Sequence, residues 1–203
     1  ESFRFPSKKN EITGHGIDIN KFSIRNYQFS NKLRIVTAGR IAPVKGLDVL
    51  FDAVEILNKN GTDLEIKIAG GPVTKTDKIY FEKLKSDVKQ KGLESIVSFV
   101  GPISYQKIQD FYKQGDVFVN LSETGSIDKA VLEAMACGIT VITSNEAFKN
   151  ILPPQYFLDE KTPEALAKKI QELTRENRPN LALREIVVKN HSLEKLIKKI
   201  IIF

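Results

Sequence analysis

One cysteine, one methionine and no tryptophan occur in 203 residues. The lone Cys137 excludes an internal disulfide framework and a cysteine-rich zinc site, and it favours a reducing compartment. No run of about 18 apolar residues is present, so no segment is expected to span a membrane. The dinucleotide fingerprint G-x-G-x-x-G is missing, because Gly14-His15-Gly16 lacks the third glycine and follows no strand signal. The phosphate loop G-x-x-x-x-G-K-[ST] is missing as well. These gaps weigh against a nicotinamide dehydrogenase and an NTPase. A metal-binding D-x-D is also lacking. The nearest approach, Asp63-Leu64-Glu65, falls at the start of a strand signal and so at the wrong end of a sheet. Glu1-Ser2-Phe3-Arg4 carries neither an initiator methionine nor an apolar leader, and it reads as a cut or processed start.

What is present fits a globular chain, with 41% hydrophobic and 28% charged residues. The length suits one large domain or two small ones. The net charge of +6 and pI of about 9.2 suit either a lysine-rich solvated surface or contact with a phosphate, a polyanion or an acidic membrane face. The aromatics show no stacking-platform pattern, so no nucleic-acid partner is expected.

After an irregular first stretch, strand and helix signals alternate. β-branched and apolar runs predict strands at Arg34 to Ala38, Leu64 to Ala69, Ile96 to Val100, Val117 to Leu121 and Thr140 to Thr143, with a short sixth at Tyr156 to Leu158. Between them, Leu47, Leu50, Phe51, Val54 and Leu57 recur at helical spacing, predicting a helix over Gly46 to Asn60. Further helices are expected over Asp77 to Lys91, from a Ser104 cap to about Gln114, and from about Asp128 to Gly138. Thr162-Pro163-Glu164 opens a helical C-terminal stretch, and Ser192 begins the last helix. Its apolar end, through Ile200-Ile201-Ile202-Phe203, suits core packing and docking onto another domain equally well. The pattern predicts an α/β fold, a Rossmann-like doubly wound parallel sheet of about six strands. Residues 1–30 are expected to be a hinge and linker, 31–160 the sheet domain, and 161–203 C-terminal helices.

Glu133 stands out, as the one carboxylate in the run Ala130-Val131-Leu132-Glu133-Ala134-Met135-Ala136-Cys137, closed by Gly138. A helix apolar nearly all round is a buried helix, and an ionised carboxylate on it needs hydrogen-bond donors. These come from the protein or from a polar ligand. In an open parallel sheet, ligands collect outside the carboxyl ends of the strands. Four loops leave those ends: Gly39 to Gly46, Gly70-Gly71-Pro72, Gly101-Pro102-Ile103, and Ser122 to Lys129. Arg40 and Lys45 add positive charge there, and the N-terminus of the Glu133 helix offers free amides to an anion. Singly, these residues also suit a solvated loop; together they point to a phosphate-bearing ligand whose hydroxyl pair reaches Glu133.

The set resembles the C-terminal, donor-binding half of GT-B glycosyltransferases, in the large retaining group of family four. Gly14-His15-Gly16-Ile17-Asp18 with Phe22 resembles the hinge into that domain. Gly39-Arg40 with Lys45-Gly46 resembles its G-R-x(4)-K-G loop, and Ile68 to Pro72 its second strand end. Val97 to Gly101 resembles the strand beside the base. Leu132-Glu133-Ala134-Met135-Ala136-Cys137-Gly138, followed by Thr140-Val141-Ile142, resembles its best-known signature. The likeness is strong over Thr13 to Ser144 and looser beyond.

The resemblance implies that Arg40 and Lys45 hold the donor diphosphate and act catalytically, and that Glu133 binds the ribose. It also implies donor contacts from Gly71, Gly125, Ser126 and the backbone of Ile103. The family's E-x(7)-E pair is broken, because its first glutamate corresponds to Gly125. Glu123 is the expected replacement on the sugar side, and Asp128 the expected N-terminal residue of the helix. The implied reaction moves a sugar from a nucleotide-diphosphate sugar to an acceptor glycan or lipid-linked glycan, with retention and without a metal or other cofactor. The acceptor would bind a further N-terminal domain toward which the C-terminal helices pack, so this part alone is expected to be inactive. A cytoplasmic site follows, and peripheral membrane association is compatible with it. The break at Gly125 keeps a non-catalytic nucleotide-sugar-binding module or partner subunit as the alternative.

Overall fold

A computed structural model of the protein describes residues 14–24, 26, 30–173 and 179–201. Expectations for residues 1–13, 25, 27–29, 174–178, 202 and 203 lie outside the described residues.

Five strands form one sheet: β1 (Leu33–Ala38), β2 (Leu64–Ala69), β3 (Val97–Gly101), β4 (Val117–Asn120) and β5 (Thr140–Thr143). Their order is β3-β2-β1-β4-β5, and every pairing is parallel. Strands β4 and β5 are buried along their whole length, as expected where helices cover both faces. The sixth strand is reduced to a single parallel bridge between Thr143 and Phe157, because Pro154–Tyr156 turns as a 3-10 helix just before it.

The helices are α1 (Leu47–Lys59), α2 (Lys75–Gln90), α3 (Ile108–Tyr112), α4 (Lys129–Ala136), α5 (Pro163–Leu173), α6 (Leu181–Asn190) and α7 (Leu193–Ile201). Helix α1 buries the predicted stripe of Leu47, Leu50, Phe51, Val54 and Leu57, and α5 packs on it. Helix α2 starts two residues earlier than expected. Thr74 accepts from the Asp77 backbone N–H, and the Asp77 carboxylate accepts from the Thr74 N–H, which makes a capping box. The helix expected from Ser104 is shorter. The Ser104 carbonyl accepts from Lys107 and Ile108 in a tight turn, no side chain caps the start, and only Ile108–Tyr112 is helical.

Helix α6 packs on α4. Helix α7 buries none of its residues, and Ile197, Ile200 and Ile201 are exposed. Its start is tied to the entry segment at Ile17: Ile17 N–H donates to His191 O at 2.7 Å, and Leu193 N–H donates to Ile17 O at 2.8 Å. Among the described residues no helix is long and apolar enough to cross a membrane.

Strand order runs outward in one direction from β1 and in the other from β4. The gap between them is therefore the topological switch point, where diverging loops open a crevice.

Candidate functional site

Backbone hydrogen bonds bind the exit loops of β1, β2 and β3 into one rim on one side of the switch point. Gly39 N–H donates to Ala69 O (3.0 Å), Ile41 N–H to Gly71 O (3.0 Å), and Gly70 N–H to Gly101 O (2.8 Å). A cavity of about 270 Å³ opens over this rim, lined by Gly39, Gly70, Pro102, Ile103, Tyr112 and Ala130 among others. It adjoins a narrow crevice lined by Arg40, Lys45 and Asn120, through the shared residues Ala38, Gly39 and Ala69. Ile103 and the two cationic residues thus line neighbouring stretches of one rim. Gly71 serves the rim as a carbonyl acceptor for Ile41.

Glu133 lies one turn beyond Ala130 on α4, and its partner is a protein hydroxyl. Tyr112 OH donates to Glu133 Oε2 at 2.7 Å. Tyr112 is itself buried among rings, edge-to-face with Phe118 at 5.7 Å and with Phe111 at 6.1 Å. Such packing fixes the phenol and with it one carboxylate oxygen. Burial pushes the Glu133 carboxyl above the usual carboxylate range, against the opposing pull of Tyr112, Lys21 and Lys129. A half-buried carboxylate with one hydrogen bond and a raised pKa has acceptor capacity to spare.

Lys45 is held from three sides. Its Nζ donates to both oxygens of Asp128 at 2.9 Å and to Ser122 Oγ at 3.2 Å. Asn120 Nδ2 also donates to Asp128, and Thr143 Oγ1 donates to Asn120 Oδ1, so a polar chain anchors the site to β4 and β5. Burial pushes the Asp128 carboxyl up, but Lys45 and Asn120 outweigh it and the net direction is down. Asp128 is indeed the N-terminal residue of α4, as the sequence suggested, yet its carboxylate caps nothing. Val131 N–H donates to the Asp128 carbonyl at 3.1 Å, which leaves the amides of Lys129 and Ala130 uncapped by Asp128 and able to meet an anion. Arg40 stands at the outer edge, half exposed, with its Nε 3.6 Å from Asp77.

The remaining candidates lie elsewhere on the loop after β4. Glu123 is paired with Lys161 at 2.9 Å. With Gly125 it lines a separate cavity of about 270 Å³ that contains neither Arg40 nor Lys45. Gly125 has a positive φ of 66°, a conformation that a glutamate adopts only at a cost, so this loop is shaped for the residue it has. Ser126 contributes its carbonyl to Asn145 Nδ2 at 2.8 Å, which ties the loop to the end of β5. Sequence reasoning did not foresee Tyr112, Asn120 or Ser122, nor Asp128 as the partner of Lys45. The only available signal was Asp128 itself, a carboxylate near the broken glutamate pair.

Comparisons with known proteins agree with this architecture. The C-terminal domain of a glycosyl transferase group 1 family protein (LpcC) from Francisella tularensis superposes with a TM-score of 0.75 at 23% identity, covering 88% of this chain and all of that one. Anabaena Alr3699/HepE, solved in complex with UDP and glucose, superposes with a TM-score of 0.78 at 17% identity, over 91% of this chain and 54% of that one. These likenesses concern the fold. In sequence, the chain is 30% identical over 122 residues to mannosylfructose-phosphate synthase from Agrobacterium fabrum, covering 59% of this chain and 27% of that protein. It is 29% identical over 149 residues to the amylovoran biosynthesis glycosyltransferase AmsK of Erwinia amylovora, covering 70% and 35%. The chain spans about a quarter to a third of the length of these curated relatives. Residues 19–194 match the family model described as glycosyl transferases group 1, and with nearly the whole sheet and its helices inside that match, the chain belongs to this family.

Proposed function

We propose that this chain is the donor-binding part of a glycosyltransferase that moves a sugar from a nucleotide-diphosphate sugar to an acceptor hydroxyl. The observation that carries the proposal is Glu133, a half-buried carboxylate fixed by Tyr112, a residue that lines the cavity next to the crevice of Arg40 and Lys45. The base occupies the Ile103 side, the ribose diol donates to Glu133, and the diphosphate lies between Arg40, Lys45 and the first turn of α4. A related fold solved with UDP and glucose supports this class of donor. Charge that builds on the departing diphosphate is stabilised by the guanidinium, the ammonium and the helix amides, so the proposed reaction is metal-independent. Retention of configuration and an acceptor carried by a further domain complete the proposal.

Calorimetric titration with UDP and GDP tests it. Glu133→Ala is expected to weaken binding by roughly tenfold to a hundredfold, because hydrogen bonds to charged groups contribute about 1.5–3 kcal/mol. Arg40→Ala is expected to weaken it comparably. Unchanged affinity in both variants would refute the assignment.

The raised pKa of Glu133 sets a pH signature. A protonated carboxyl accepts the diol less well, so affinity falls as pH drops, and the fall begins at a higher pH than an ordinary glutamate would give. Tyr112 lowers this pKa, so Tyr112→Phe moves the fall to higher pH, while Glu133→Gln removes the Glu133 share of it. Identical profiles for wild type and Glu133→Gln would show that this carboxylate does not meet the nucleotide.

A second reading, a non-catalytic nucleotide-sugar-binding subunit, is favoured by Gly125 and by the engagement of Glu123 with Lys161. Incubating the full-length protein with donor and acceptor separates the two, since only an enzyme releases nucleoside diphosphate.

A further inference from the structure

Two residues of the entry segment grip both helices that build the Glu133 site. Ser23 holds α3: its N–H and its hydroxyl donate to Gln109 Oε1 at 2.8 and 3.2 Å, and Lys113 Nζ donates to Ser23 Oγ at 2.7 Å. Phe22 is fully buried, with its ring 6.3 Å from that of Tyr105 and 6.4 Å from that of Tyr112. Its carbonyl accepts from Arg184 Nη1 of α6, which also donates to Ala136 O at the end of α4. The segment is thereby tied to α3, which carries Tyr112, and to α4, which carries Glu133.

Lys21 stands immediately before these anchors, so its backbone has little freedom. Its Nζ lies 2.9 Å from the centroid of the Tyr105 ring, and the residue is half-buried. The negative face of the ring holds the cation, and Phe22 meets the ring in a T-shaped contact. From this perch Lys21 acts on Glu133 through space. Of the two lysines that pull the Glu133 carboxyl downward, it pulls harder than Lys129, although Lys129 shares the helix of Glu133. Tyr105, Tyr112 and Cys137 also face Glu133, but burial pushes all three upward, the thiol to about 12, so they stay neutral while Glu133 titrates. The remaining charges around the cluster are Asp110 and Lys113 at α3, Arg184 on α6 and Asp18 on the entry segment.

We propose that Lys21 is a positioning residue of the nucleotide site: held on the Tyr105 ring, its ammonium keeps Glu133 as the carboxylate that accepts the ribose diol. This role rests on the nucleotide reading of Glu133 and extends it, because a residue outside the sheet and its exit loops then completes the site. A docked entry segment becomes a condition for tight nucleotide binding.

Two titrations of the 203-residue chain, which encloses its own core and resembles a C-terminal domain solved alone, test this role. The first follows the Glu133 carboxyl carbon by NMR without nucleotide, its signal assigned by its loss in Glu133→Gln. Lys21→Met removes the cation and keeps the stem, so the midpoint should rise. Lys21→Arg keeps a cation over the ring and should leave the midpoint in place. A merely structural lysine would change the melting temperature and not the midpoint. The second titration measures UDP affinity against pH. A higher midpoint leaves less carboxylate at acid pH. Relative to wild type, Lys21→Met should therefore lose roughly threefold to tenfold more affinity at the acid end of the profile than at the alkaline end. In a Glu133→Gln background that difference should vanish. An unchanged midpoint in Lys21→Met, with a UDP profile that still depends on Glu133, overturns the role of Lys21 alone. A raised midpoint with UDP affinities indifferent to Glu133→Gln overturns the nucleotide reading of Glu133, and the role of Lys21 falls with it.

Discussion

Lys45→Met is expected to lower affinity for a nucleoside diphosphate by roughly a hundredfold, through loss of a positioned cation and gain of an uncompensated carboxylate beside the phosphates. Lys45 and Asp128 are both largely buried, with side chains 18% and 22% exposed. Removing the lysine leaves Asp128 with Asn120 as its remaining strong donor. Truncating one member of such a pair costs more than the pair contributes, because the surviving charge stays desolvated. A loss of about 1–3 kcal/mol in stability follows at neutral pH.

The pH dependence separates this mechanism from simple misfolding. In the wild type Asp128 titrates below its ordinary value, so its stabilising contribution is present above the unfolded-state pKa and is lost as pH falls through the folded one. In Lys45→Met the opposing pull of Lys45 is gone and burial moves the carboxyl upward, so the excess destabilisation shrinks as falling pH protonates the orphaned group. Adding Asp128→Asn should restore most of the stability at neutral pH without restoring the cation. Denaturant melts and UDP titrations of the single and double variants give a double-mutant cycle. If Lys45→Met binds UDP like the wild type, Lys45 is only the counter-ion of Asp128.

Gly70→Ala carries the largest expected loss of stability. Gly70 has a φ of 124°, which side-chain-bearing residues rarely adopt, and a Cβ there would overlap the carbonyl oxygen of Gly39. That oxygen belongs to the rim, and backbone cannot swing aside as a flexible side chain would. The backbone strain is of order 1–3 kcal/mol, and displacement of the β1 and β2 exits adds to it. We expect a loss of about 3 kcal/mol or more by denaturant melt and, because the rim moves, a loss of UDP binding in the fraction that remains folded. Gly71→Ala is the control. A Cβ at Gly71 meets only Pro102, at 3.7 Å, so little change in stability is expected. Equal melts for the two variants would show that the close approach at Gly70 is not a constraint.

Local signals in the chain carried the scaffold well. The α1 stripe, the five strands and the buried α4 segment each rest on periodicity or continuous apolarity within one short stretch, and burial follows it residue by residue. Where elements were misjudged, the reason is also local. Ser104 looks like a helix cap, but its backbone closes a tight turn first, and the prolines at 153 and 154 convert the sixth strand into a turn and a single bridge.

The candidate site was legible to the extent that its residues sit at strand exits. Arg40, Lys45 and Ile103 could be placed on one rim because a parallel sheet gathers its carboxyl ends. Their partners could not. The Lys45–Asp128 pair joins residues 83 apart, and Tyr112–Glu133 joins residues 21 apart on different helices. Nothing in spacing alone says which carboxylate a lysine will meet, because that choice depends on how loops from two strands cross in space. Glu123 shows the same limit. Its place on the loop suggested the sugar side of the donor, but the direction of its side chain, towards Lys161 and a second cavity, depends on where the start of α5 packs. The sequence by itself determined the sheet, its buried helix and the rim that Glu133, Arg40 and Lys45 approach, since these follow from periodicity and chain direction. Only the tertiary structure decided which face of the loop after β4 each side chain serves, since that depends on contacts between segments far apart in the chain.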